Sequence, residues 1–518
     1  MKITGICAEK TRIRFLTAAS GKVTVREKVP IICAKGGRTL SVVETVAKNG
    51  EFMLPRFENG RDRTLSRFEV SGEKGIADGA RYVTEFAAGT ADNEGKYPQL
   101  KTIKTLNTPA VLADKYPTCQ SRVDVNLPHL MTLDSGGSVI RHEFQGGTYY
   151  FRREAVAALD AHVSAFPMTT FILLNSPRLF GSPGEKELLN TCIHPMFDWN
   201  ADNAYISAFD METEQGQNCY CAFVDFLCER YAKKDVKHGR LVGMIVSNEV
   251  DSQYIWGNAG EMSVKDYTEE YTQALRLTWL ISHRYCSYFR VYASLDQFWN
   301  GTSYDPALPK RYYSGRRVLE LINTDAVRDG NFGWGVAYHP YPEDLRWPDF
   351  WHDRAPDFSF STPKITFKNM EVLEAFLAQK PFLYRGKPRR IVFSEQGFNS
   401  QSGPLAGWTE RMGYAGYVLA YMKARNMKTV DMFTHHSMVD NPHEFGLNLG
   451  MFKYDKSKPG HLGEPKPVFR ACQAMDTQDE PEAVRKAKEI IGEELFEYLL
   501  HPPAVRGERD TSKEQEFF

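Results

Sequence analysis

Long hydrophobic runs are missing from this chain. Nothing in its 518 residues approaches the ~18 consecutive apolar residues that a membrane-spanning helix requires. The opening stretch, MKITGICAEKTRIRFL, also lacks the continuous apolar segment of a secretory signal. An excess of charge of either sign is missing too: 64 Lys and Arg face 65 Asp and Glu, for a net charge of -1. The basic surplus of a nucleic-acid-binding surface is therefore absent. The nine cysteines are odd in number, and their spacings fit neither a disulfide framework nor a zinc pattern. Cys219, Cys221 and Cys228 fall within one helical stretch and read as packing thiols. GSPGEKE and QGG lack the spacing of a phosphate-binding loop, and no internal repeat is evident. Neither nucleic acid nor membrane is expected as a partner. A reducing, cytoplasmic setting is the simplest expectation; a secreted chain trimmed of its export signal would read the same.

What is present is aromatic and rhythmic. Phe, Tyr and Trp make up 13% of the chain, which suits stacking on flat ligands or sugar rings and equally suits a large aromatic core. Residues 1–80 read as a β-rich appendage, because short β-branched and aromatic stretches alternate with turn signals such as Asn49-Gly50 and Asn59-Gly60. From residue 81 short apolar strands alternate with longer helical patterns. The candidate strands are 80–86, 122–127, 169–176, 241–249, 289–296, 334–342, 390–397 and 429–437. The intervening stretches place apolar residues at three- and four-residue steps, as with Phe367, Met370, Leu373 and Phe376. Alternating strand and helix implies a parallel sheet. Eight such units predict an α/β fold, a (β/α)8 TIM barrel over residues 81–475, with a doubly wound open sheet as the competing topology. Residues 476–518 predict an amphipathic C-terminal helix, with Val484, Ala487, Ile491, Leu495 and Leu499 on one side, and then a polar, mobile tail, RGERDTSKEQEFF.

Two of the candidate strands end alike. IVSNEVDSQYIWG, residues 245–257, delivers Asn248 and Glu249 at the end of the fourth. RIVFSEQGFNS, residues 390–400, delivers Glu395 at the end of the seventh. In a closed barrel both ends open on one cleft at the carboxyl face. Paired carboxyls across a cleft suit glycoside cleavage, in which one protonates the leaving oxygen and the other attacks the anomeric carbon or activates water.

Asn-Glu after strand four, Glu after strand seven and YHPYP after strand six resemble the retaining glycoside hydrolases of clan A. More narrowly, SNEVDSQYIW, WGVAYHPYP, KNMEVLEAF, SEQGFNS and VDNPHEFGLNLG resemble an uncharacterised bacterial family of glycosidase-like barrels, over residues 80–475. The clan resemblance implies a carbohydrate substrate, Glu395 as nucleophile and Glu249 as acid/base, with no metal or organic cofactor. It further implies Asn248 on the sugar 2-hydroxyl, His339 and Tyr341 completing the site, and Tyr341 donating to the nucleophile. The charge of Glu395 is expected to raise the pKa of Glu249.

The chain departs from the clan pattern in two places. A Trp usually ends strand eight, where this chain has DMFTHHS with His435 and His436. An Arg usually follows strand two, where Arg122 instead begins the strand, Asn126 ends it and His129 lies nearby. Asn126 and His435 are retained as candidate substrate contacts. Trp256, Trp299, Trp347, Trp351 and Trp408 all follow strand ends, and Trp256 and Trp299 are the candidates for stacking on sugar. His435, His436, Asp440, His443 and Glu444 are all metal-ligand types, but adjacent histidines on a strand point to opposite faces, which argues against one metal cage. The alternative to a hydrolase is a barrel that binds carbohydrate, or serves as a scaffold, without turnover.

Overall fold

A computed structural model describes residues 2–31, 37–73, 75–107, 119–178 and 185–507 of the chain. Cys33, Gly36, most of GSPGEKE and the polar tail beyond residue 507 lie outside the described residues.

Eight parallel strands close into a barrel. They are β1 (Lys104–Leu106), β2 (Gln120–Asn126), β3 (Thr169–Leu174), β4 (Leu241–Val246), β5 (Arg290–Leu295), β6 (Trp334–Tyr338), β7 (Ile391–Phe393) and β8 (Val430–His435). Closure is made by β1, which pairs with β2 on one side and with β8 on the other, Leu106 opposite His435. All six residues of β4, LVGMIV, are buried, as befits a parallel strand covered on both faces. One set of side chains, including Ile172, Ile245, Tyr292, Ala337, Val392 and Met432, fills the barrel interior. The alternate set, among them Phe171, Leu173, Met244, Val246 and Val336, packs under the helices. Thr213, Ser263 and Ser314 cap the helices Glu214–Tyr231, Val264–Tyr285 and Gly315–Asp329 by accepting from main-chain N–H groups of their first turns. Among the described residues, no helix is long and apolar enough to cross a membrane.

The stretch 80–86 does not open the barrel. Glu85–Phe86 pair with the first strand of the chain, Cys7 opposite Glu85, and so belong to the appendage. The barrel begins at β1, whose three residues are too few to show a period. The loop after β2 carries a small antiparallel sheet of Met131–Thr132, Val139–Phe144 and Gly147–Arg152. Its tight turn places Gln145 and Gly146 at positive φ.

Among the described residues the appendage is built from two larger sheets and a two-stranded hairpin, Phe57–Glu58 with Arg61–Asp62. Phe15 stacks on Phe52 of its own sheet at 4.5 Å and meets Phe68 of the other edge-on at 5.1 Å. Alternation in Arg12–Thr17 turns Ile13 and Phe15 inward. Ion pairs tie the appendage to the barrel: the Arg284 guanidinium, on the helix Val264–Tyr285, bridges Asp62 of the appendage at 3.1 Å and Asp225 of the helix Glu214–Tyr231 at 3.3 Å. At the other end of the chain two helices, Glu480–Ile491 and Glu493–Leu500, stand where the apolar stripe predicts one. Gly492, at φ 96, breaks them. Ala483, Ala487, Ile491, Phe496 and Leu499 are their buried residues.

Candidate active site

β4 ends at Val246, and the chain then turns through two non-glycine residues at positive φ, Ser247 at 62° and Glu249 at 38°. Side chains other than glycine rarely adopt that region, and functional sites are where it is tolerated. The turn is held by the Glu249 N–H, which donates to Ser294 Oγ on β5 at 3.0 Å. It brings the Glu249 carboxyl over the barrel mouth, where 13% of its side chain stays accessible. Glu395 follows β7 by two residues and keeps 17% of its side chain accessible. One carboxyl oxygen of Glu249, one of Glu395 and a ring nitrogen of His339 all lie within 4.8 Å of one another.

Each carboxyl has its own partners. His339, the residue after β6, places Nδ1 at 2.8 Å from Glu249 Oε1 and Nε2 at 3.0 Å from Ser394 Oγ. Tyr341 donates its hydroxyl to Glu395 Oε1 at 2.9 Å. Arg122 Nη2 reaches Glu395 Oε2 at 3.3 Å and Asp124 at 2.9 Å. Burial pushes Glu249 up to about 8, helped by the negative charge of Glu395. Burial would raise Glu395 as well. His436, His339, Arg122 and the Tyr341 hydroxyl outweigh it and bring Glu395 down to about 2. At neutral pH the pair therefore holds one acid and one carboxylate. Burial also lowers His339 to about 4, so its imidazole is neutral. His436 goes the other way: burial opposes its charge, but Glu395 and then Glu444, whose Oε1 is 3.3 Å away, raise it to about 8. Two further buried acids back Glu249. Asp296, just past β5, is pushed to about 8 by burial and by Glu249, and its N–H donates to Asp251 Oδ1 at 3.0 Å.

The expected binding residues divide. Asn248 adjoins the pair, with a buried Oδ1 that has no partner among the described residues. Trp256 stacks on Tyr205 at 5.2 Å and meets Phe445 edge-on at 6.3 Å, above the barrel interior. Asn126, expected on substrate, spends its amide on structure: Nδ2 donates to Ser176 O at 3.0 Å and Oδ1 accepts from Ser176 N–H at 2.7 Å. Trp299 is fully buried, donates Nε1 to Phe360 O and packs edge-on against Phe376; it belongs to the core. His435 is also misplaced as a substrate contact. Its Nε2 bonds Leu449 O at 2.9 Å, and its ring packs beside Phe398 and Tyr417, the latter on the helix Ala406–Asn426. His436, one residue on, is the histidine that faces Glu395. Trp351 is buried against Phe350, while Trp347 and Trp408, both partly exposed, meet edge-on at 6.1 Å.

Arg122, His436, Ser394, Tyr205 and Phe445 are site residues that sequence reasoning did not select. For Arg122 a signal exists. It shares a strand face with Asp124 and Asn126 at period two, and an arginine buried inside a barrel needs a carboxylate partner.

The Glu249, His339 and Glu395 atoms are also close enough to hold a cation. A ligand carboxyl must be ionised, so a cation there would compete with the Glu249 proton that burial favours. A second triad, His194, Glu212 and Glu270, is equally compact. There the Met196 N–H donates to His194 Nδ1 at 3.1 Å, which leaves the ring proton on Nε2, facing Glu270 at 2.9 Å. That geometry is a hydrogen bond rather than a metal ligand.

No curated protein matches the chain. Among solved structures, a family 39 glycoside hydrolase from the gut symbiont Bacteroides cellulosilyticus WH2 is 13% identical, with 95% of this chain and 83% of that one covered and a TM-score of 0.42. A GH5_18 protein from Streptomyces cattleya, solved in complex with GlcNAc, is 11% identical, with coverage of 81% and 96% and a TM-score of 0.43. A hyperthermophilic β-glucosidase mutant is 13% identical, with coverage of 73% and 86% and a TM-score of 0.41. The profile of a family of unknown function, DUF5722, matches residues 96–498; the chain belongs to that family.

Proposed function

We propose that the protein is a retaining glycoside hydrolase, with Glu395 as nucleophile and Glu249 as acid/base. The observation that carries this reading is the carboxyl pair itself, with oxygens within 4.8 Å; the surroundings that raise Glu249 and lower Glu395 support it. Carboxyls about 5–5.5 Å apart suit direct attack, whereas inverting enzymes separate them by about 6.5–9.5 Å to admit a water. In the first step a Glu395 oxygen bonds to the anomeric carbon, the glycosidic C–O bond breaks, and the Glu249 proton passes to the leaving oxygen. In this reading neutral His339 carries its proton on Nδ1 and donates it to Oε1, and the acid proton of Glu249 is on Oε2, toward the leaving oxygen. Esterification removes the charge of Glu395, and with it the repulsion that held the Glu249 proton. Glu249 then takes a proton from water as that water attacks the anomeric carbon, and the ester bond to Glu395 breaks. Asn248 offers its amide to the 2-hydroxyl. Trp256, Tyr205 and Phe445 offer aromatic faces to a sugar ring.

A panel of aryl glycosides, hydrolysed by the wild type and followed by NMR of the first-formed anomer, tests the reading. Retention is expected. Glu249→Gln should lower turnover by about 10²–10⁴-fold on substrates with poor leaving groups. A 2-deoxy-2-fluoro glycoside of the hydrolysed sugar should leave its mass on the peptide containing Glu395. Inversion, or a label on another residue, would remove the double-displacement assignment.

A further inference from the structure

A cavity lies at the amino end of the barrel, opposite Glu249 and Glu395. It holds about 680 Å³, within the range of small-molecule sites. Its walls come from the first residues of β5 and β6, from the residues just before β7 and β8, and from residues 86–94, which join the appendage to the barrel. The amino end of such barrels ordinarily serves stability, so a cavity of this size there calls for an occupant.

The lining has a definite chemistry. Phe86, Tyr288, Trp334 and Tyr384 supply aromatic surface. Among the described lining residues Glu94 is the one carboxylate, against Arg290, Arg385, Lys387, Arg389, Arg390 and Lys428. Arg290 and Arg390 share Asp431 beneath the cavity, and Arg385 leans toward Glu85 at 3.6 Å. Arg389 differs. It is 2% exposed, and its guanidinium donates to Phe382 O, Phe332 O and Asn331 Oδ1. It lies 4.2 Å over the Trp334 ring and 5.2 Å from that of Tyr384. Among the described residues no carboxylate pairs with it, and burial lowers it to about 9. A buried charge that is hydrogen-bonded but not neutralised is costly, and a counter-anion in the adjoining cavity would relieve that cost. Trp334 adds a second unmet group: its buried Nε1–H has no partner among the described residues.

We propose that this cavity binds a flat aromatic anion, its ring between the aromatic walls and its acid group drawn to Arg389 and the Trp334 N–H. The site is independent of the glycosidase reading. The full-length protein can be titrated with 8-anilinonaphthalene-1-sulfonate, a flat aromatic sulfonate, and with N-phenyl-1-naphthylamine, which has the same rings without the charge. One equivalent of the sulfonate should bind, at least about tenfold more tightly than the neutral amine, as expected for a charge-assisted contact. Ala87→Trp fills the cavity from the wall without deleting a hydrogen bond seen here, and should abolish binding at an unchanged melting temperature. Arg389→Met should weaken the sulfonate and leave the neutral amine unaffected; if that variant does not fold, Ala87→Trp decides. Equal affinity for the two probes, no binding, or binding that survives Ala87→Trp would overturn the proposal.

Discussion

At the residue scale the proposed chemistry turns on two glutamates that the fold shifts in opposite directions. Glu249 is raised from an ordinary 4.5 to about 8, and Glu395 is lowered from the same value to about 2. On the proposed mechanism, activity should hold across neutral pH and fall as pH rises through about 8, when the acid loses its proton. The same shifts act on stability. A carboxyl raised on folding contributes stability below pH 4.5 that is lost as pH rises toward 8. A carboxyl lowered on folding contributes stability above 4.5 that is lost as pH falls toward 2. Glu249→Gln removes the first group, so it should raise the melting temperature at pH 8.5 relative to wild type and gain nothing at pH 4. Thermal unfolding of both proteins at the two pH values checks this; an equal shift at both would mean that Glu249 ionises normally.

At the element scale the loop after β8 links the two sides of the barrel mouth. Glu444 holds His436 at 3.3 Å, and the next residue, Phe445, lies 5.9 Å from Tyr205 and 6.3 Å from Trp256. Tyr205 follows β3 and Trp256 follows β4, so the loop reaches across the cleft from β8. Phe445 is 67% exposed, which leaves its ring open to a ligand in the cleft. If the three rings hold sugar, Phe445→Ala should raise KM about three- to tenfold with kcat nearly unchanged, since one aromatic contact is worth about 0.5–1.5 kcal/mol. Initial-rate kinetics on a hydrolysed glycoside separate the two constants. An unchanged KM would assign the rings to packing alone.

At the scale of the whole molecule the appendage is held to the barrel through buried charge. Asp62 pairs with Arg56 at 2.7 Å inside the appendage and with Arg284 at 3.1 Å on the barrel helix, and its side chain is 4% exposed. Deleting one partner of a buried pair leaves the others uncompensated, at a cost of about 3–5 kcal/mol. Asp62→Ala should lower the urea unfolding midpoint accordingly, and a change below about 1 kcal/mol would mean that apolar contacts carry the joint. None of this network was legible in the sequence, because its members lie far apart along the chain and look like ordinary surface charges.

The strand-helix alternation, seven of the eight barrel strands and the glutamates after β4 and β7 could all be read from residue order, because buried parallel strands leave continuous apolar runs. His339 and Tyr341 were legible through the resemblance of YHPYP, after strand six, to the clan A pattern. Facing was harder to read. His435 ends β8 and His436 follows it; the two are chemically identical neighbours, and it took barrel closure to turn the first toward a helix and the second toward Glu395. Arg122 lies near the start of β2, yet its long side chain reaches Glu395, a reach that strand position does not disclose. Asn126 and Trp299 had suitable chemistry but were claimed by main-chain partners within the fold. The opposite protonation of Glu249 and Glu395 likewise required assembly. Both are glutamates after apolar strands, and only burial, with Arg122, His436 and Tyr341 gathered on one side, separates an acid from a carboxylate.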